Sequence, residues 1–97
     1  METNIKEKIE IKIKKPKMYK VIMHNDDYTS MEFVIMVLVE VFNKKVPEAT
    51  QVMYDVHKKG VGVAGVYAYD IANTKIIQAE NLAQLEGYPF KLSLEEE

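Results

Sequence analysis

Apolar and polar side chains alternate through MYKVIMH (18–24), and that period of two predicts a first strand. The chain then turns very polar in HNDDYTSMEF (24–33) before a second apolar run, FVIMVLVEVF. In that run Phe33, Val34, Val37, Leu38 and Val41 recur at helical spacing, which predicts a helix over about 30–43 with one apolar side. Its many β-branched residues lower helix propensity, so tertiary burial has to stabilise it. Thr29 has N-cap chemistry, and Glu32 three positions on completes a capping box.

Pro47 suits the first turn of a second helix, in which Ala49, Val52, Met53 and Val56 keep helical spacing. Lys58 and Lys59 suit its negative end, and Gly60 its left-handed stop. GVGVAGVYAY (60–69) predicts a tight loop into a second strand. Asp70 is expected to cap a third helix, striped by Ala72, Ile76, Ala79 and Ala83 with Leu82 beside them. Gly87 should end it, Pro89 blocks its continuation, and FKLSL (90–94) alternates as a last strand before a solvated EEE. The predicted order is β-α-α-β-α-β, a single α/β (α+β) domain over 18–97. Residues 1–17 read as a flexible extension. Ile and Lys alternate in IEIKIKKPK as in an edge strand, but Pro16 and the charge density favour a tail.

Composition narrows the chemistry. Ninety-seven residues are enough for one core. Without cysteine there is no disulfide, no thiolate metal site and no cysteine nucleophile. No apolar run approaches the roughly 20 residues that span a bilayer, and METNIKEKIEIKIKKPK lacks the apolar core of a signal peptide; a cytoplasmic protein is expected. The net charge of −2 is unevenly spread. Residues 1–20 hold seven of the thirteen Lys and three of the fifteen acids, and the chain has no Arg. An acidic body without Arg is poorly suited to nucleic acid and better suited to a cationic group.

The polar loop and His57 carry the candidate chemistry. G-V-G-V-A-G (60–65) has the spacing of a nucleotide-binding fingerprint, but it follows a helix and enters a strand, the reverse of that context. Its glycines fit a turn and close packing better. Asp26, Asp27, His24 and His57 lack the spacing of a metal site, and no Ser or Thr stands beside an evident base. Taken alone, Asn25-Asp26-Asp27 reads as an Asx turn feeding the capped helix, and His57 as a packed, hydrogen-bonded side chain. Taken together, amide oxygen, carboxylate and imidazole can all accept hydrogen bonds from an ammonium group. With apolar side chains of two neighbouring helices beside them, they would suit a ligand with an amine next to an apolar group. The first residue of a polypeptide has that shape.

Three blocks in order resemble the ClpS family of bacterial protease adaptors: YKVIMHNDDYTSMEFV, VHKKGVGVAGVY and IANTK, a likeness covering roughly 18–94. The resemblance implies a three-stranded antiparallel sheet packed against three helices, similar to a ribosomal stalk-protein domain. It implies no enzymatic activity and no cofactor. The family binds proteins that begin with Leu, Phe, Tyr or Trp, the N-degrons, and passes them to a ClpA- or ClpC-type AAA+ unfoldase of the Clp protease. Carried over by matching position, Asn25, Asp26 and His57 should receive the α-amino group and first peptide unit, with Asp27 adding to an acidic rim. Thr29, Met31, Val34, Met53, Val56 and Phe90 should line the side-chain pocket, with Met31 rejecting β-branched residues. Tyr67, Asp70 and Lys75 should face the unfoldase, which engages the extension at 1–17 during hand-over; a monomer is expected.

Three positions depart from the family. Ser30 replaces a usual Pro at the first helical position, Asp70 a common Glu with its charge kept, and Phe90 a common Leu, where a larger ring would shrink the pocket and narrow the choice of substrate. Three alternatives remain at this level. One is a docking domain of the ribosomal-stalk type, which has no need of Asn25, Asp26 and His57 together. Another is a small metal-dependent enzyme using the same polar groups. The third is a specialised adaptor paralogue with narrower substrate choice, which Phe90 suggests.

Overall fold

The computed structural model describes residues 16–97. The expected extension at 1–17 lies outside these residues except for Pro16 and Lys17, which precede the first strand. The elements are β1 (Met18–His24), α1 (Met31–Glu40), α2 (Val46–Lys59), β2 (Val61–Ala68), α3 (Tyr69–Glu86) and β3 (Leu92–Glu96). The strands form one antiparallel sheet in the order β2-β1-β3, with three helices, the α+β fold expected from the sequence.

Alternation in the central strand sets the core. Val21 and Met23 are fully buried and join a cluster with Phe33, Val34, Val37, Leu38 and Val41 of the α1 segment. Ala49, Met53 and Val56 from α2, and Ala72, Ile76, Ala79 and Ala83 from α3, complete most of it. The small residues of α3 let that helix approach closely, while the β-branched wall of α1 is stabilised by burial rather than propensity.

The ends of the helices correct several expectations. Ser30, not Thr29, is the N-cap of α1: its Oγ accepts from the Phe33 amide at 3.1 Å. Glu32 is then one position too early for a capping box, though its charge still suits the positive first turn. The usual Pro position thus holds the cap itself, a role for which Ser is well suited. Asp70 does not cap α3. Ala68 holds that position without a side-chain bond, and Asp70 sits in the first turn. At its far end α1 stops at Glu40, earlier than the apolar pattern predicts, and Asn43 takes up φ +57°. Asn tolerates that left-handed conformation better than most residues. Gly60 (φ +88°) and Gly87 (φ +75°) end α2 and α3 as read from the sequence.

The glycine-rich block needs no loop. Gly60 leads directly into β2, which skips Ala64 in its pairing with β1, a bulge beside Val21/Ile22. A Cβ on Gly62 would stand 2.8 Å from a Val56 methyl and 3.1 Å from the Val52 carbonyl oxygen. Glycine there lets α2 lie close against β2, and this closeness places the end of α2 beside the polar loop.

Candidate functional site

The loop between β1 and α1 is organised by one carboxylate. Asp26 Oδ1 accepts from the Tyr28 amide at 2.8 Å and the Thr29 amide at 2.7 Å, and Oδ2 accepts from the Thr29 hydroxyl at 2.6 Å. Thr29 therefore spends its hydroxyl on Asp26 and leaves the capping of α1 to Ser30. Burial pushes the Asp26 carboxyl up, but the Thr29 hydroxyl and the Thr29 and Tyr28 amides outweigh it and hold it below its ordinary value of 3.8. It is an anion at neutral pH, and Oδ2 keeps acceptor capacity for a further donor.

A second contact ties this loop to α2. The Asn25 amide donates to the Gly60 carbonyl at 2.9 Å, just past the end of α2. His57, in the last turn of α2, is thereby brought to the same concavity as Asn25 and Asp26. The cavity has a volume of about 420 Å³, within the roughly 300–1,000 Å³ common for small-ligand sites. Met31 and Val34 of α1 and Met53 and Val56 of α2 supply apolar surface, and Asn25, Asp26, Asp27 and His57 supply acceptors. Val34, Met53 and Val56 are nearly buried, whereas Met31 is 41 % exposed.

Nine of the ten pocket positions named from the sequence converge here: Asn25, Asp26, Asp27, Thr29, Met31, Val34, Met53, Val56 and His57. Phe90 is outside the lining. It is 4 % exposed and meets the Phe33 ring edge-on at a centroid distance of 6.0 Å, so it belongs to the core. Tyr28 and Ser30 also line the cavity and were missed. An aromatic side chain directly after two loop acids was the signal for Tyr28, which is 76 % exposed.

The second histidine goes elsewhere. His24 Nε2 lies 2.6 Å from Ser93 Oγ, across the sheet. Among the described residues no three His, Cys, Asp or Glu side chains converge to hold a metal ion. None of the described helices is long and apolar enough to cross a membrane.

Tyr67, Asp70 and Lys75 lie away from this cavity, at the β2–α3 junction. Lys75 Nζ donates to the Val41 carbonyl at 2.6 Å and lies 5.2 Å from the Tyr67 ring centre. The Tyr67 hydroxyl donates to the Phe42 carbonyl at 3.4 Å, and burial pushes that phenol up. Both therefore serve the carbonyl end of α1. Asp70 and Lys75 also line a second hollow of about 320 Å³ with Ile71, Thr74 and Gln78.

Fold and cavity together define a small α+β domain that presents a concave site, apolar inside and rimmed by acceptors. Residues 14–93 match the family model described as ATP-dependent Clp protease adaptor protein ClpS. The chain belongs to the ClpS family of Clp protease adaptors. It is 59 % identical over 95 residues to the ClpS adapter of Clostridium acetobutylicum, spanning 98 % of this chain and 92 % of that one. With the ClpS adapter of Acetivibrio thermocellus it shares 49 % identity over 96 residues, 99 % of this chain and 97 % of the relative. The structure of Agrobacterium tumefaciens ClpS2 bound to L-phenylalaninamide superposes with a TM-score of 0.82 at 41 % identity. That match covers 86 % of this chain and all of the other.

Proposed function

We propose that the cavity holds the first residue of a polypeptide that begins with Leu, Phe, Tyr or Trp. Its ammonium group and first peptide unit meet Asn25, Asp26 and His57, Asp27 adds negative charge at the rim, and its side chain lies against Met31, Val34, Met53 and Val56. The convergence of the Asp26 loop and the end of α2 on one cavity carries this reading. The ligand of the Agrobacterium relative supports it, since L-phenylalaninamide combines a free α-amine with an apolar side chain. The chain then acts as a monomeric, non-catalytic cytoplasmic adaptor. It delivers such N-degron substrates to a ClpA- or ClpC-type AAA+ unfoldase through a face that includes Tyr67, Asp70 and Lys75, with the extension at 1–17 engaged during hand-over.

Magnitudes fit micromolar recognition, which requires about 8 kcal/mol. Burial of a Leu or Phe side chain contributes roughly 1.5–3 kcal/mol. Two or three charge-assisted hydrogen bonds contribute roughly 1.5–3 kcal/mol each. Neither part suffices alone once the cost of immobilising the peptide end is included.

The decisive experiment is a titration with fluorescent peptides that differ only at residue one: Leu, Phe, Tyr, Trp, Ile and Met. Micromolar binding of Leu and the aromatics with Ile rejected is expected. No binding by any of them would leave a docking domain of the ribosomal-stalk type.

Two substitutions refine the pocket. Met31→Ala should weaken the Leu peptide and admit Ile and Val, shrinking the Leu-over-Ile preference about tenfold, on the order of 1.4 kcal/mol. An unchanged preference would show that Met31 is not the gate. Because Phe90 is in the core and not in the lining, Phe90→Leu should leave the ranking of the peptides unaltered and cost stability, about 1 kcal/mol by denaturant titration. A variant that gains affinity for Trp would show that the ring reaches the cavity after all.

A further inference from the structure

The chain has six methionines. Among the described ones, Met23 and Met53 are 0 % and 5 % exposed, while Met18, Met31 and Met36 are 37 %, 41 % and 37 % exposed. Of those three, Met31 alone lines the cavity beside the Asp26 loop. Met53, the other cavity methionine, is shielded by burial. A partly exposed methionine thus lines the cavity, where a change in the polarity of its thioether acts on the ligand side chain.

We propose that Met31 is an oxidation site that switches the adaptor's pocket off, with a peroxide as the oxidant. The Met31 sulfur lone pair attacks one oxygen of hydrogen peroxide. An S–O bond forms as the O–O bond breaks, the sulfur loses two electrons, the second oxygen departs as hydroxide, and it takes up the proton of the attacked oxygen to leave as water. The product sulfoxide is polar and chiral, and it replaces a flexible apolar surface. An S=O group in the wall has to keep water or a polar partner beside it, and either opposes entry of an apolar side chain. Methionine sulfoxide reductases, supplied with a reductant, return the sulfoxide to the thioether, so the switch is reversible. This rests on the pocket reading given above.

The test is binding of a Phe-starting peptide to the full chain before and after mild peroxide treatment, with mass spectrometry locating the added oxygen. Oxidation at Met31 should lower affinity at least tenfold, and reductase treatment should restore it. In Met31→Leu, peroxide should no longer change whatever affinity that variant has. Met18→Leu and Met36→Leu should bind like the parent and lose affinity on oxidation as it does. Unchanged binding with Met31 shown to be oxidised overturns the proposal, as does a peroxide effect that persists in Met31→Leu. A parent chain that binds no peptide before oxidation overturns the pocket reading as well, which separates the two failures.

Discussion

Acetylating the amine of a Leu-starting peptide should abolish its micromolar binding, with a loss of about two to four orders of magnitude. The acceptors around the cavity, the Asp26 carboxylate, the Asn25 amide oxygen and the His57 imidazole, have no competing lysine among the lining residues. They are arranged for a positive donor, and acetylation removes both the charge and two of its three N–H bonds. Losing two charge-assisted bonds of roughly 1.5–3 kcal/mol each gives an expected range of two to four orders of magnitude. The same physics fixes the alkaline limit. A peptide amine has a pKa of about 7.7–8.0 when free, and a site that binds only its charged form raises that value. Affinity is then fully present below about pH 7.7 and falls as pH rises through the bound value, tenfold per unit at most. Calorimetric titration between pH 6.5 and 9.5 should show roughly thirtyfold weakening; equal affinity for free and acetylated peptide would remove the basis for amine capture.

Asp26→Ala should be the most damaging single substitution in the loop. One side chain supplies both a negative charge at the cavity and three hydrogen bonds that shape the loop. Alanine strands the Tyr28 and Thr29 amides and frees the Thr29 hydroxyl, so the rim loses charge and geometry together. Peptide affinity should fall by about two to three orders of magnitude, roughly 3–4 kcal/mol. Asp26→Asn should fall less, because an amide oxygen can still accept in the turn. The acid response separates the two roles. Since the native carboxyl is held below its ordinary 3.8, its contribution to stability is complete above pH 3.8 and is lost as pH drops through the lower native value. Thermal denaturation at pH 7 and at pH 3 should show a smaller acid-induced loss in Asp26→Asn than in the parent. Identical acid losses in the two proteins would mean that the Asp26 bonds contribute nothing to the folded loop.

The pattern of side chains along the chain determined a great deal. Period-two alternation located β1, and the helical spacing of Phe33, Val34, Val37, Leu38 and Val41 identified the face that is buried. Gly60 and Gly87 marked helix ends, because a left-handed residue at a stop is a local requirement that glycine meets cheaply. The motifs NDDYTSMEF and VHKKGVGVAGVY pointed to the right family, although 23 positions separate Phe33 from Val56.

Tertiary structure decided what depends on competition between partners or on the approach of distant segments. The sequence pointed to Thr29 as the cap of α1, with Glu32 completing the box. Asp26 takes the hydroxyl of Thr29, and the cap passes to Ser30. The pattern of β3 predicted a strand from Phe90, but Phe90 packs on Phe33 and the strand begins at Leu92. His24 and His57 were equivalent as imidazoles. β1 pairs with β3 and turns one toward Ser93, while the Asn25–Gly60 bond and the glycine at 62 set the other beside the Asp26 loop. Local chemistry follows from neighbours along the chain, and so it is readable in the sequence. A site assembled from a loop and the far end of a helix exists only after those segments have packed.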